Sequence, residues 1–166
     1  LEIEIKGNTV DLSMIIQNSI DSVSLLAHQK HISIIMHQFG EECVVLGDAH
    51  LLERSINNLL DNAIRHTPRH GKIFVECYKS DHNATFTIKD TGDGFSSDEL
   101  QQVFEPLYRG EASRNRLTGG VGLGLTISKR IITQHGGDLV AGSHSDGGAI
   151  LSGWIPLANS SLYSNT

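Results

Sequence analysis

The chain of 166 residues lacks several features that would place it in a class at once. No apolar run approaches the roughly 20 residues that a membrane-spanning helix needs, and the N-terminus has no signal-peptide pattern. Basic residues are few, since 13 Lys and Arg stand against 19 Asp and Glu, which gives a net charge of −6. Nucleic acids are bound through clusters of Lys and Arg, so we expect no nucleic-acid partner. We also expect no membrane contact by this domain.

Cysteine and metal-binding patterns are scarce as well. Cys43 and Cys77 are the only cysteines, and both lie in apolar, strand-like stretches without metal or redox spacing. We expect them to be inert, buried thiols in a reducing compartment. Neither His28/His31 nor His66/His70, the two pairs with helical spacing, has a Cys or carboxylate that would complete a ligand set, and we expect none of the nine histidines to bind a metal.

The composition, 39% hydrophobic and 19% charged, is that of a soluble globular domain with one core. The periodicities predict a two-layer α/β (α+β) sandwich, with a mixed, mostly antiparallel sheet of about five strands and three main helices on one face. The predicted helices run from a cap at Asp11 or Ser13 to about His28, over about Ala49–His66, from Ser97 for a short stretch, and over about Leu123–His135. The predicted strands are Leu1–Ile5, Ile32–His37, Cys43–Leu46, Ile73–Tyr78, Thr85–Lys89, Asp138–Ser143 and Ala149–Ile155.

Two segments fall outside this regular pattern. Leu107–Gly120 is rich in Arg, Gly and Ser, and we expect a mobile loop there. Residues 158–166 are rich in Ser and Asn, so we expect a disordered tail after a domain at residues 1–157.

The helix predicted over 49–66 carries an unusual polar face. Asn58, Asn62 and Arg65 fall nearly opposite its apolar arc, with His66 beside them. Asn is a mediocre helix former, so folding alone does not favour two of them one turn apart. Two amide oxygens in this arrangement can coordinate a hard cation such as Mg²⁺, with nucleotide phosphates completing the shell. Arg65 would then reach a phosphate, and His66 would lie against a ring or the ribose; a solvated polar face is the alternative.

Asp90 follows an apolar strand and begins the sequence Asp90-Thr-Gly92-Asp-Gly94. Gly92 and Gly94 permit positive φ and close approach of the backbone to a ligand. A carboxylate at that place accepts a hydrogen bond from the exocyclic amine of adenine, whereas guanine would present a carbonyl oxygen. An ordinary turn is the alternative for this motif taken singly.

The third motif is a glycine run that leads into an apolar helix, Gly120-Val121-Gly122-Leu123-Gly124-Leu125. Its N–H groups and the helix N-terminus would form an anion site, although the spacing is neither that of a dinucleotide fold nor that of a P-loop. Arg109, next to Tyr108, and Arg116 precede the run and would reach a triphosphate when the loop closes over it. Close helix packing and a solvated basic loop are the alternatives.

In this order the motifs resemble a known family. Asn58–Asn62 resembles its N box, Asp90–Gly94 its first glycine box, Phe104–Arg109 its F box and Gly120–Gly124 its second glycine box. The chain resembles, over nearly its whole length, the catalytic and ATP-binding domain of a bacterial two-component sensor histidine kinase. That domain belongs to the wider superfamily of gyrase, heat-shock-chaperone, kinase and mismatch-repair ATPases. The resemblance implies a Bergerat-type fold, Mg²⁺-bound ATP and transfer of the γ-phosphoryl group to a histidine.

The resemblance also implies roles for single residues. Asn62 would be the principal magnesium ligand together with Asn58, Arg65 a phosphate contact, Asp90 the adenine selector and Arg116, by its spacing, the lid arginine. The expected nucleotide-binding residues are Asn58, Asn62, Arg65, His66, Asp90, Gly92, Gly94, Tyr108, Arg109, Arg116, Gly120, Val121, Gly122, Leu123, Gly124 and Leu125, of which Asn58, Asn62, Arg65 and Arg116 would act in catalysis.

The chain departs from the family pattern at a few positions. His66 stands where Tyr is more usual, Leu107 replaces an aromatic residue, and Ala149 stands where Thr is common. These departures bear on nucleotide affinity more than on the class of reaction.

The phosphoacceptor pattern of the family, His-Glu followed by Arg-Thr-Pro, is missing, and His28 and His31 lack those neighbours. The resemblance therefore implies two partners outside this chain: a dimerisation and histidine-phosphotransfer domain, normally in the same polypeptide, and a response regulator. We expect the isolated domain to be monomeric and cytoplasmic, and the full-length protein to lie in the bacterial inner membrane.

Two other functions stay open, a Bergerat-fold Ser kinase or ATPase, and a nucleotide-sensing binding module without phosphotransfer. Asn58 bears on this choice. In the related hydrolysing ATPases a Glu at the corresponding place activates water, and an amide cannot accept a proton usefully. The sequence therefore predicts slow hydrolysis, and efficient transfer only when the acceptor domain is present.

Overall fold

The computed structural model describes residues 7–106 and 124–158, in which helices pack on one side of a sheet. The strands are β1 at Asn8–Asp11, β2 at Ser33–Phe39, β3 at Val44–Gly47, β4 at Lys72–Lys79, β5 at Asn83–Asp90, β6 at Asp138–Ser143 and β7 at Ala149–Pro156. The helices are α1 at Leu12–Gln29, α2 at Ala49–His66, α3 at Ser97–Gln102 and α4 at Gly124–Gln134. No helix in these ranges combines the length and the apolar character that crossing a membrane requires.

The main sheet has five strands in the order β2-β4-β5-β7-β6. Only β2 and β4 are parallel, because the chain crosses over through β3 and α2 between them; the other pairs are antiparallel. In β5 every second residue is buried, as expected for a strand with one face on the core. The predicted mixed, mostly antiparallel two-layer sandwich is confirmed.

A second, smaller sheet consists of β1 and β3, which pair antiparallel. The strand predicted over Cys43–Leu46 exists as β3, but it does not join the main sheet; a bridge between Val45 and Leu157 is its link to the end of β7. Alternation shows that a segment is extended but not which strand it pairs with, so the sequence did not separate the two sheets. The strand expected over Leu1–Ile5 and tail residues 159–166 lie outside the described residues.

Capping residues define the helix ends. The side chain of Asp11, rather than that of Ser13, caps α1 by accepting from the Ser13 N–H at 3.0 Å. Asp48 caps α2 in the same way, and α2 has the predicted bounds. Gly136, with a φ of +83°, follows the end of α4, as is common for a glycine that closes a helix.

Helix α2 is the central element of the helical layer, because it packs against α1, α4 and β5. Ser55 and Ser128 are fully buried where α2 meets α4: the Ser128 hydroxyl donates to the Ser55 carbonyl at 3.0 Å, and the Ser55 hydroxyl donates to the Ser128 carbonyl at 3.5 Å. These two small side chains join the two helices directly. The predicted apolar arc of α2 is buried throughout: Leu52, Ile56, Leu59, Leu60, Ala63 and Ile64.

Both cysteines are buried, as predicted. Burial is the main reason why the pKa of the Cys43 thiol and that of the Cys77 thiol are raised. Because the thiolate is the reactive form, both groups are chemically quiet at neutral pH.

Candidate functional site

Asn58 and Asn62 lie one turn apart on α2, and both are half-buried. A Cβ atom placed on Gly124 would lie 3.8 Å from the Cβ of Asn58, so the first residue of α4 borders this asparagine. Leu125, the next residue, packs against the hydrophobic core. The end of the predicted glycine run therefore meets the amide-bearing side of α2.

Asp90 ends β5 and is 3% exposed. Its Oδ1 accepts two backbone hydrogen bonds, from the N–H of Gly92 at 2.9 Å and from the N–H of Ala149 at 3.1 Å. Its second oxygen, Oδ2, accepts no hydrogen bond from the residues that the structure describes. A largely buried carboxylate with one oxygen bonded to the backbone and the other without a donor among the described residues is arranged to receive a donor from a ligand.

Two glycines let neighbouring backbone segments pack closely around the Asp90 turn. A Cβ on Gly92 would overlap the carbonyl oxygen of His66, so this glycine lets the turn after β5 lie against the end of α2. A Cβ on Gly148 would overlap the carbonyl oxygen of Asp90, and Gly148 has a φ of +94°, which favours glycine. The Asp90 turn is thereby held between α2 and the β6–β7 hairpin.

A further contact fixes the far side of the Asp90 turn. The hydroxyl of Ser143 accepts from the Phe95 N–H at 3.0 Å and donates to the Phe95 carbonyl at 2.8 Å. Gly94 lies within this closed turn with a φ of +74°. The backbone that carries Asp90 is therefore pinned at both ends, which orients the carboxylate before any ligand arrives.

Arg65 and His66 end α2 beside this turn, and both are exposed. The guanidinium of Arg65 pairs with Asp61 at 2.7 Å. An exposed pair of this kind contributes no more than about 1 kcal/mol, so a phosphate could replace Asp61 without a large loss. The ammonium of Lys30 donates to the carbonyls of Ile64 and Arg65, at 2.8 and 3.0 Å, which satisfies part of the helix end.

Phe104 and Thr126 lie on either side of the undescribed internal segment and contact each other. The Thr126 hydroxyl donates to the Phe104 carbonyl at 2.8 Å, and the Lys129 ammonium lies 5.1 Å from the centre of the Phe104 ring. Lys129 also donates to Asp138 at 2.5 Å and to the Leu139 carbonyl at 2.7 Å. The hydrogen bond from Lys129 is the main reason why the pKa of Asp138 is lowered.

The structure thus brings together part of the predicted site. Asn58, Asn62, Arg65, His66, Asp90, Gly92, Gly94, Gly124 and Leu125 lie on α2, the Asp90 turn and the start of α4. The other predicted site residues lie outside the described residues: Tyr108, Arg109, Arg116, Gly120, Val121, Gly122 and Leu123. Their roles stay predictions.

The sequence did not reveal two groups that hold Asp90 in place, Gly148 and the backbone N–H of Ala149. The doublet Gly147-Gly148 stands between the last two predicted strands, and its approach to Asp90 depends on the register of β5 and β7. A side-chain motif cannot reveal a backbone donor. The glycine doublet at the start of the last strand was the only available signal.

The oxygen atoms that the structure describes at this site suit the binding of a magnesium-bound nucleotide. No group of three or more His, Cys, Asp or Glu side chains in the described ranges could hold a metal. A cation at this place would therefore rely on the amide oxygens of Asn58 and Asn62, and on ligand and water oxygens, as Mg²⁺ commonly does. The unsatisfied Oδ2 of Asp90 suits the amine of a base.

Comparison with known proteins gives a consistent result. Residues 47–159 match the family described as histidine kinase-, DNA gyrase B- and HSP90-like ATPase. The chain is 38% identical over 117 residues to the signal transduction histidine-protein kinase BaeS of Escherichia coli K12, covering 70% of this chain and 25% of BaeS. It is 31% identical over 151 residues to the sensor histidine kinase CpxA of the same strain, covering 91% of this chain and 33% of CpxA. The chain thus spans between a quarter and a third of these relatives.

Solved structures show the same fold. The mycobacterial sensor histidine kinase MprB superposes with a TM-score of 0.77 at 27% identity, covering 91% of this chain and 97% of that one. Full-length ShkA in complex with AMPPNP gives a TM-score of 0.82 at 26% identity, covering 96% of this chain and 33% of the ShkA chain. The histidine kinase ThkA in complex with the response regulator protein TrrA gives 0.77 at 20% identity, covering 92% and 42%, which supports the fold alone.

The matched residues include α2, the Asp90 turn and α4, which are the elements that build the site. The chain therefore belongs to the family of histidine kinase-, DNA gyrase B- and HSP90-like ATPases, and it is an ATPase domain of the sensor histidine kinase type.

Proposed function

We propose that this chain binds Mg²⁺-ATP between the polar side of α2 and the Asp90 turn. It then transfers the γ-phosphoryl group to a histidine of a dimerisation domain outside the chain, within a two-component signalling system. The observation that carries the proposal is the Asp90 carboxylate, with Oδ1 held by two backbone N–H groups and Oδ2 without a donor in the part of the chain that the structure describes.

Asp90 selects the base. Its Oδ2 accepts a hydrogen bond from the exocyclic amine of adenine, while the carbonyl of guanine would place an acceptor against an acceptor. Asp90 is 3% exposed and its Oδ1 is bonded to the backbone, so Oδ2 is the oxygen available to a base, and the wrong base would leave it without a donor. Discrimination between the two bases is expected to be strong for this reason.

Asn58 and Asn62 hold the cation. Their amide oxygens lie one turn apart on a helix whose opposite side is fixed in the core, so the pair is positioned before binding. Bound Mg²⁺ neutralises negative charge on the phosphates. Arg65 adds a positive charge at the same end of α2 once a phosphate displaces Asp61.

The reaction needs little acid–base chemistry from this chain. A neutral imidazole nitrogen of the acceptor forms a bond to the γ-phosphorus while the bond from phosphorus to the β–γ bridging oxygen breaks, which leaves ADP. Asn58 cannot act as a base toward water, so hydrolysis by the chain alone is slow. Positioning and charge neutralisation are therefore the contributions of this domain.

Its relatives support this assignment. BaeS and CpxA are named as histidine kinases, and the ShkA structure holds AMPPNP, an ATP analogue. The ThkA structure holds a response regulator. We accordingly propose a response regulator as the second partner, a cytoplasmic place for this domain and an inner-membrane place for the full-length protein.

The test is a phosphotransfer assay with γ-labelled ATP, Mg²⁺ and a purified dimerisation domain that carries the acceptor histidine. The expected product is an acid-labile phosphohistidine on the acceptor, with little free phosphate when the acceptor is omitted. An acid-stable phosphoester would instead indicate a Ser kinase, and rapid release of phosphate an ATPase. Binding of ATP without any transfer would indicate a nucleotide-sensing module.

A further inference from the structure

A second polar surface lies at the end of the sheet where α1 and α2 both terminate. It consists of five exposed residues in and next to two turns, which we call the basic turn patch: His28, His31, Arg69, His70 and Lys72. The ring centres of His28 and His31 are 6.4 Å apart, and those of His31 and His70 are 5.2 Å apart in a stacked arrangement. Ser33 pairs with Lys72 in the sheet, so the fold brings the two turns side by side.

The two chain segments that form this surface carry charge of one sign. Residues 22–34 and 62–75 contain no Asp or Glu, although the whole chain has a net charge of −6. The side chains of Arg69 and Lys72 are exposed and make no ion pair with any described residue. Two unpaired cations and three imidazoles with N–H groups therefore face solvent together.

His31 occupies a backbone conformation that is unfavourable for a residue with a side chain. The His31 N–H donates to the His28 carbonyl and the Ile32 N–H to the Ala27 carbonyl, each at 2.9 Å, so α1 ends in a Schellman motif with His31 as its left-handed residue. Its φ is +55°, a region that favours glycine.

Helix α4 ends in the same motif and gives the comparison. The Gly136 N–H donates to the Thr133 carbonyl at 3.0 Å and the Gly137 N–H to the Ile132 carbonyl at 3.1 Å. The left-handed position there is held by Gly136, with a φ of +83°. The same chain thus has glycine at this position after α4 and histidine at the equivalent position after α1.

His70 is a second histidine with a positive φ. It is the third residue of the turn Pro68–Gly71, closed by a hydrogen bond from the Gly71 N–H to the Pro68 carbonyl at 3.0 Å, and its φ is +68°. A positive φ at this turn position usually selects Gly or Asn. Within the described ranges His31 and His70 are the only non-glycine residues with positive φ, and their rings stack on each other. Strained positions of this kind concentrate at functional surfaces.

We propose that the basic turn patch is a docking site for an acidic protein surface, whose carboxylates contact Arg69, Lys72 and the histidine N–H groups. None of the five residues is a proposed nucleotide ligand, although Lys72 adjoins the Asp90 turn through a hydrogen bond from its N–H to the Thr91 hydroxyl at 3.0 Å; the proposal does not depend on phosphotransfer. Its physical basis is complementary charge together with a preformed backbone.

The overall charge favours a compact acidic partner over an extended polyanion. Removing the two positive charges of Arg69 and Lys72 from the net charge of −6 leaves −8 on the rest of the chain. A nucleic acid or an anionic membrane presents negative charge over a wide area and would be repelled by that remainder. A small acidic protein surface can contact the basic turn patch without also facing the negatively charged remainder of the chain.

The test uses the present chain labelled with ¹⁵N and a poly-glutamate peptide as the probe, with poly-glutamine as the uncharged control peptide. Amide shifts in two-dimensional NMR are expected at residues 28–33 and 68–72, and the binding should weaken as salt is raised. The variant R69Q/K72Q should bind about fivefold or more weakly. The matched control R54Q/K79Q removes two other exposed cations, with the same change in net charge, and should bind like the wild type.

Two further measurements complete the test. His31→Gly should weaken binding of poly-glutamate without unfolding the chain, since glycine suits the left-handed position. Vesicles of phosphatidylglycerol and a DNA duplex should bind less well than the peptide. The proposal is overturned if the peptide does not bind, if both double variants lose affinity equally, or if the vesicles or DNA bind better than the peptide.

Discussion

The carboxylate of Asp90 accepts a hydrogen bond from the backbone N–H of Ala149, 59 residues further along the chain, at 3.1 Å. This contact joins the end of β5 to the start of β7 and saturates one carboxylate oxygen together with the Gly92 N–H. The other oxygen is thereby directed away from the backbone donors. A structural bond between two strands thus orients the group that we propose to select adenine.

Asp90→Asn separates these two roles. The amide oxygen can still accept from Gly92 and Ala149, so the fold should persist, but the NH₂ group would meet the adenine amine donor to donor. We expect the affinity for adenine nucleotides to fall by about two orders of magnitude. Calorimetric titration measures the affinity, and thermal unfolding monitored by circular dichroism checks the fold. Asp93→Asn is the control, since Asp93 is an exposed carboxylate in the same turn. Equal affinities of the Asp90 variant and the wild type would rule out this role.

Ser128→Ala tests the junction between α2 and α4. It removes the donor to the Ser55 carbonyl and should lower the free energy of unfolding by about 1 kcal/mol. Ser128→Val adds volume where the helices meet and should lower it by about 1–3 kcal/mol. Urea unfolding measures both. Thr133→Ala, an exposed change on the same helix, should have a smaller effect; a Val variant as stable as the wild type would show that the helices are not closely packed here.

The ion pair of Lys129 and Asp138 predicts that the free energy of unfolding depends slightly on pH. The pKa of Asp138 is lowered from 3.8 in the folded state, chiefly by the hydrogen bond from Lys129. The resulting stabilisation is therefore present above that value and is lost as the pH falls through the folded-state pKa. Because Asp138 is 42% exposed, solvent screening limits the effect to less than about 1 kcal/mol.

Unfolding of Asp138→Asn and of the wild type between neutral and acidic pH checks this effect. The wild type should be slightly more stable at neutral pH, and the difference should vanish at acidic pH. Asp81→Asn, at an exposed position in the β4–β5 loop, should show no such convergence. A difference that grows on acidification would have the opposite sign and would contradict the interpretation.

His31→Gly should make the fold more stable. Glycine adopts the φ of +55° without the strain that a side chain imposes, so we expect the free energy of unfolding to rise by about 1 kcal/mol, reduced by the lost ring stacking on His70. Gly136→Ala, at the equivalent position after α4, should lower it by a similar amount. Chemical denaturation of both variants gives the comparison. If His31→Gly were clearly destabilising, the left-handed strain would not be real.

The parts of the fold that were predictable have strong local signals. The bounds of α2 follow from its apolar period and from the proline at position 68, and β6 follows from its place between two glycine-containing turns. The antiparallel strands β4 and β5 were placed within two residues for the same reason. These signals act between neighbours in the sequence, which is why the sequence contains them.

The parts that were not predictable depend on contacts between distant segments. The pairing of β1 with β3, the Ala149 N–H on Asp90 and the backbone approach of Gly148 all arise from register and packing. Arg65 is a mixed case. Its spacing of four from Asp61 predicts an ion pair on a helix, yet only the structure shows that this pair competes with the proposed phosphate contact.

The most direct test of the account is a calorimetric titration of the chain with ATP, in the presence and in the absence of Mg²⁺. We expect a single site, tighter binding with Mg²⁺ than without it, and loss of that difference in Asn62→Ala but not in Asn18→Ala, an exposed change on α1. GTP should bind far more weakly than ATP. No binding of ATP, or the same affinity for ATP with and without Mg²⁺ in the wild type, would contradict the proposed site.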